Sequence, residues 1–133
     1  MKPRSGTIVG LALLAMWLGL WGASNKRERH MIRVVAVITA NRGRRDELLA
    51  AFRANVPNVR AEKGCIEYAG HIDAADIGPF QAKFGPDAFV VLESWESAEA
   101  LRAHIAAPHM KAYAQKTKDW ISSRTIHVLS AID

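Results

Sequence analysis

Residues 88–113 read AFVVLESWESAEALRAHIAAPHMKAY, and this stretch decides the fold. Its first eight residues, Ala88 to Trp95, are apolar and β-branched up to Glu93 and predict a strand. Ser97 then opens a helix as its N-cap, with Glu99 in the first turn, running to about Ala106. Pro108 ends that helix, because proline disfavours helical geometry at Ala107, and starts the next one. Met110, Tyr113, Ala114, Thr117, Trp120 and Ile121 are expected on the inner face of that second helix.

The same reading extends outward. Ile32 to Ala40, IRVVAVITA, predicts the first strand, and Asn41-Arg42-Gly43 a turn. Arg44 to about Lys63 predicts a helix on the stripe Leu48, Leu49, Phe52, Val56 and Val59, with Pro57 kinking it or splitting off its last turn. Cys65 to Asp73 alternates as a second strand, and Thr125 to Ile132 forms the last. The order is β-α-β-β-α-β, an α+β, ferredoxin-like arrangement with both helical segments on one face of a four-stranded antiparallel sheet. The runs VVAVI and FVVL are apolar on both faces, yet no segment is left to cover the second face. Two sheets are therefore expected to close face to face as a homodimer, an α/β barrel with a water-poor chamber between them.

Charge excludes one class of function. The chain of 133 residues carries a net charge of +5. Of its 18 basic and 13 acidic residues, five basic and one acidic lie in the first thirty, which leaves a nearly neutral body without a basic stripe. No nucleic-acid surface is expected. Residues 1–24 have the layout of a secretory signal or a short anchor, with positive charges before an apolar run over residues 7–23. Residues 25–30 are a polar linker, and residues 31–133 form the domain. The protein is exported or membrane-anchored through residues 7–23 if the leader is translated, and cytoplasmic if translation starts at Met31. The single cysteine, Cys65, reads as a small buried hydrophobe rather than a reactive thiol.

Strand parity places Phe89, Val91, Glu93 and Trp95 on one face. A carboxylate and an indole among apolar neighbours fit a lined cavity, and this face is expected to look into the barrel. The alternative puts Glu93 in solvent or against an arginine at a strand end, with Trp95 as plain core. His104 closes one helix, where the dipole favours the protonated ring, and His109 opens the next, where it favours the neutral one. Such a pair could divide acid and base roles, or be an exposed first-turn residue and a core-edge histidine. Tyr68 and Tyr113 are further candidates to line the cavity. The loop from Ala74 to Asp87 carries Phe80 and Phe84 and reads as an arm over the cavity mouth or against a partner. There is no GxGxxG, no P-loop, no Gly-flanked nucleophilic serine and no metal-like spacing among the five histidines.

These residues resemble the antibiotic biosynthesis monooxygenase superfamily, and within it the small quinol monooxygenases. The carriers are Val56-Pro57, Glu62-Lys63-Gly64-Cys65, Tyr68, Phe80-Gln81, Pro86-Asp87, Glu93-Ser94-Trp95-Glu96-Ser97, Leu101, His104 and Pro108 to Tyr113. The resemblance covers the whole body and none of the leader. It implies a homodimer that oxidises a quinol or similar electron-rich aromatic substrate with O2, using no metal, flavin or haem. On that basis Glu93 and His104 are expected as base or proton relay. Trp95, Tyr68, Phe89, Val91, His109 and Tyr113 are expected around the substrate. The superfamily also holds proton-transfer isomerases and haem-degrading enzymes, and a non-enzymatic small-molecule-binding stress protein is a further reading. Haem degradation fits least, since Tyr113 lies near where those relatives carry an iron-ligand histidine and the first strand lacks their asparagine.

Overall fold

Residues Ile32–Ala40 form β1, the central strand, as their β-branched run dictates. The computed structural model describes residues 30–132. The expected leader over residues 1–24 and most of the linker over 25–30 lie outside the described residues. Among the described residues, no helix is long and apolar enough to cross a membrane. The elements that follow β1 are α1 (Arg45–Arg60), β2 (Cys65–His71), β3 (Ala88–Trp95), α2 (Ala98–Ala106), α3 (Pro108–Thr117), a 3-10 turn (Lys118–Trp120) and β4 (Ile121–Ser130). The strands pair antiparallel in the order β2-β3-β1-β4, the ferredoxin-like sheet.

Several boundaries differ from the sequence expectation. α1 runs unbroken through Pro57 to Arg60. Pro57 and Arg53 both lie on its exposed side, where water can replace the amide bond that proline removes. β4 begins four residues early, at Ile121, so Trp120 and Ile121 belong to the turn and the strand rather than to the inner face of α3. That edge strand is exposed along nearly its whole length, which weakens the apolar signal that would mark its start. The helix break stands where proline puts it. Ala107 is extended (φ −62, ψ 139) between α2 and α3, and the Ser97 hydroxyl accepts from the Ala100 amide to cap α2.

One face of the sheet packs under the helices. Val34, Ala36 and Ile38 of β1 stand beside Glu93, Val91 and Phe89 of β3, in register. α1 lowers Leu48, Phe52 and Val59 onto them, all buried, with Leu49 and Val56 partly buried at the edge. Burying a side chain such as Leu48 or Phe89 stabilises the fold by about 1.5–3 kcal/mol each. Phe52 stacks on Tyr68 at 5.4 Å and meets Phe89 edge-on at 5.4 Å. A bulge between Cys65 and Glu67 resets the alternation of β2, so Cys65 and Tyr68 both reach this face although three residues apart. The opposite face carries Val35, Val37, Val90, Leu92 and Leu129, of which Leu92 and Leu129 are exposed.

One glycine sets a corner. Gly64 ends the turn after α1 at φ +85, and a Cβ there would sit 2.6 Å from the Ala100 Cβ. Its carbonyl accepts from the Glu96 amide at 2.8 Å, which ties the α1–β2 turn to the start of α2.

Candidate active site

Between the sheet and the helices lies a cavity of about 290 Å³, at the small end of the range for ligand sites. Val34, Ala36, Ile38 and Val91 form its sheet wall, and Phe52, Leu101 and Met110 reach it from the helices. Ala36 and Ala114, with small side chains, also line the space. Ile126 and Val128 of β4 complete the apolar wall, and Lys111 and Arg124 stand with them as its cationic groups.

The cavity is therefore under the chain's own helices, not on the face expected to meet a partner sheet. Parity grouped Phe89, Val91, Glu93 and Trp95 correctly, but that face turns toward α1, α2 and α3. Nor does the arm from Ala74 to Asp87 cover the mouth, for none of its residues lines the cavity. The loop is held to itself instead. The Asp73 carboxylate accepts from the amides of Phe84 and Gly85, which holds its pKa below the usual value, and Lys83 pairs with Asp76. Phe80 and Phe84 remain exposed.

Of the residues expected at the site, Tyr68, Val91, Glu93, His104 and Tyr113 line the cavity, whereas Phe89, Trp95 and His109 do not. Phe89 and Trp95 are completely buried behind the wall. Trp95 acts from there on two cavity residues: its Nε1–H donates to Glu93 Oε2 at 2.8 Å, and its ring lies 4.6 Å from the His104 ring. Burial raises the Glu93 pKa above the usual carboxylate value. The Trp95 bond and the nearby His104 pull it back, while Glu62 adds to the rise. Burial also raises the Tyr68 hydroxyl, with Glu93 adding to it, and pushes Tyr113 up to about 12 against the opposing charge of Arg124. Both phenols are thus kept as neutral donors.

His104 is 3% exposed, at the end of α2. Its Nδ1 lies 3.0 and 3.2 Å from the two oxygens of Glu62, and His109 Nε2 lies 2.6 Å from Glu62 Oε1. An ionised carboxylate only accepts, so both rings donate N–H to it. With Nδ1–H given to Glu62, the neutral His104 ring carries its acceptor lone pair on Nε2, and the residue lines the cavity. Glu62 was not expected at the site. It sits in the turn after α1, 42 residues from His104, and only its place in the motif Glu62-Lys63-Gly64-Cys65 marked it. The histidine spacing gave no sign of this grouping, which forms only when the α1–β2 turn meets the α2–α3 break.

The fold and this lined cavity define a class. The family model for antibiotic biosynthesis monooxygenase matches residues 31–116, and the chain belongs to that family. It is 39% identical over 101 residues to the probable quinol monooxygenase YgiN of Escherichia coli (strain K12), an alignment spanning 74% of this chain and 96% of that one. Among solved structures, PA3566 from Pseudomonas aeruginosa superposes with a TM-score of 0.66 at 25% identity, over 80% of this chain and 98% of that one. A conserved protein from Methanosarcina mazei Go1 superposes with a TM-score of 0.68 at 20% identity, over 80% and 97%, and supports the fold alone.

Proposed function

We propose that the protein is a cofactor-independent monooxygenase that oxidises a quinol or similarly electron-rich phenol with O2. The observation that carries this reading is the pairing, in one small apolar cavity, of an oriented imidazole with a buried carboxylate. The similarity to a protein named as a probable quinol monooxygenase supports the substrate class.

In this scheme the aromatic ring lies against Val91, Phe52 and Met110. His104 Nε2 takes the proton of a substrate hydroxyl, and Glu62 stabilises the imidazolium that forms. The resulting phenolate is rich enough in electrons to reduce O2 itself. One oxygen atom enters the ring, and the other leaves as water with the two hydrogens the substrate gives up. Glu93, held by Trp95, relays protons within the same pocket, and Tyr68 and Tyr113 supply hydrogen bonds to developing oxyanions.

Oxygen-electrode measurements with menadiol test this. Uptake well above the non-enzymatic rate is expected, falling by roughly 10²–10⁴ in His104→Ala. Uptake no faster than without protein would refute it. A proton-transfer isomerase would use the same base but consume no oxygen, so the one assay separates the two.

A homodimer belongs to the same proposal. The uncovered sheet face bears Leu92 and Leu129, and Phe80 and Phe84 stand exposed on the adjoining loop. Light scattering is expected to give twice the chain mass, reduced to one chain mass in Leu92→Asp.

A further inference from the structure

The chemistry above gives His109 no role, yet its ring meets Glu62 on the Nδ1 side of His104, where the same carboxylate steadies the imidazolium. We propose that Glu62, His104 and His109 form a binding site for a divalent transition-metal ion such as Zn²⁺, outside the substrate cavity. The three ligand atoms lie within 4.8 Å of one another. Glu62 Oε1 is 3.0 Å from His104 Nδ1 and 2.6 Å from His109 Nε2. In a tetrahedral site with bonds of about 2.0–2.2 Å, ligand atoms stand roughly 3.3–3.5 Å apart. For an ion to enter, the carboxylate has to draw back by about 0.4 Å from His104 Nδ1 and by about 0.8 Å from His109 Nε2.

The donor set decides the class of ion. Two imidazoles and one carboxylate suit Zn²⁺, Co²⁺ or Ni²⁺, not the all-oxygen shells of Mg²⁺ or Ca²⁺. The backbone holds the trio in advance. Ala107 fixes the turn between the two histidines, and the Glu96 amide on the Gly64 carbonyl anchors the turn that carries Glu62. The His109 and Glu62 side chains are 26% and 14% exposed, so an ion and a fourth ligand, water, can reach the site from solution. Glu62 and His109 do not line the cavity, so the ion would lie behind His104.

The position has a consequence for catalysis, which rests on His104 serving as the base. A metal on Nδ1 moves the ring proton to Nε2. That nitrogen then becomes a donor instead of an acceptor, and deprotonation of the substrate stops. Bound zinc would therefore inhibit, and a chelator would restore activity.

The test uses the full chain without a polyhistidine tag. Titration with CoCl2, followed by visible absorption, and with ZnCl2, followed by calorimetry, is expected to show one ion per chain. His109→Ala and Glu62→Gln should weaken binding by at least the roughly 10–100-fold typical of a lost outer-shell partner. His127→Ala, on exposed β4, should leave it unchanged. The absence of saturable binding, or equal binding in His109→Ala, would overturn the site. One-to-one binding with undiminished menadiol oxidation would keep the site and overturn its control over His104. A protein without quinol activity would overturn that control too, and the cobalt titration would still decide the site.

Discussion

Trp95→Phe separates the roles of the indole. The substitution keeps an aromatic ring behind His104 but removes the Nε1–H that donates to Glu93 Oε2 at 2.8 Å. A hydrogen bond to a charged group contributes about 1.5–3 kcal/mol, and Glu93, at 8% exposure, has little water to replace it. The bond favours the ionised carboxylate, so its loss raises the Glu93 pKa. At about 1.36 kcal/mol per unit, the acid limb of the activity profile should move up by about 1 to 2 pH units. The smaller ring also leaves a void behind the wall, which costs about 1 kcal/mol of stability. Oxygen uptake with menadiol across pH 4 to 9 reads the first effect, and urea unfolding at pH 7 reads the second. A folded variant whose acid limb stays in place would refute both the role of the bond and the need for an ionised Glu93.

Glu93→Gln should change stability in a pH-dependent way. The folded pKa of Glu93 is raised, chiefly by burial, so its contribution is full below the unfolded value of about 4.3 and is lost as pH rises through the folded pKa. The neutral variant should thus be more stable than the parent at pH 8 and gain nothing at pH 4. Urea midpoints at the two values check this, and an equal gap at both would contradict it. Gly64→Ala should cost about 2–4 kcal/mol, from φ +85 and the 2.6 Å approach to the Ala100 Cβ, with partial recovery in a second change, Ala100→Gly. Ser97→Ala should cost about 1 kcal/mol through the lost cap of α2, measured by thermal or urea unfolding.

The fold was legible because local signals agreed. Parity in AFVVLESW, the Ser97 cap and the Pro108 break each pointed to the element that forms there. Parity also grouped Val91 with Glu93, while His104 was singled out mainly by the family resemblance, beside its place at a helix end. Parity could not say which face of the sheet the group would take, because strands apolar on both sides give no preference. The cavity was therefore expected on the wrong side. Glu62 escaped for a different reason. A turn glutamate has no periodic pattern, and its value comes from two histidines that the chain delivers more than 40 residues later. Trp95 and Phe89 were expected as walls and stand behind them, a distinction of one atomic layer that spacing does not encode.

The contact between Trp95 and His104 has an optical consequence. The indole is fully buried, and its ring lies 4.6 Å from the imidazole at an angle of 34°. A cationic imidazole at this range takes an electron from the excited indole and quenches its fluorescence, whereas a neutral one does so weakly. The Trp95 component, isolated as the difference between the parent spectrum and that of Trp95→Phe, should be blue-shifted, and its intensity should follow the charge on His104. The protein thus carries a built-in lamp beside its proposed base, readable before any substrate is added.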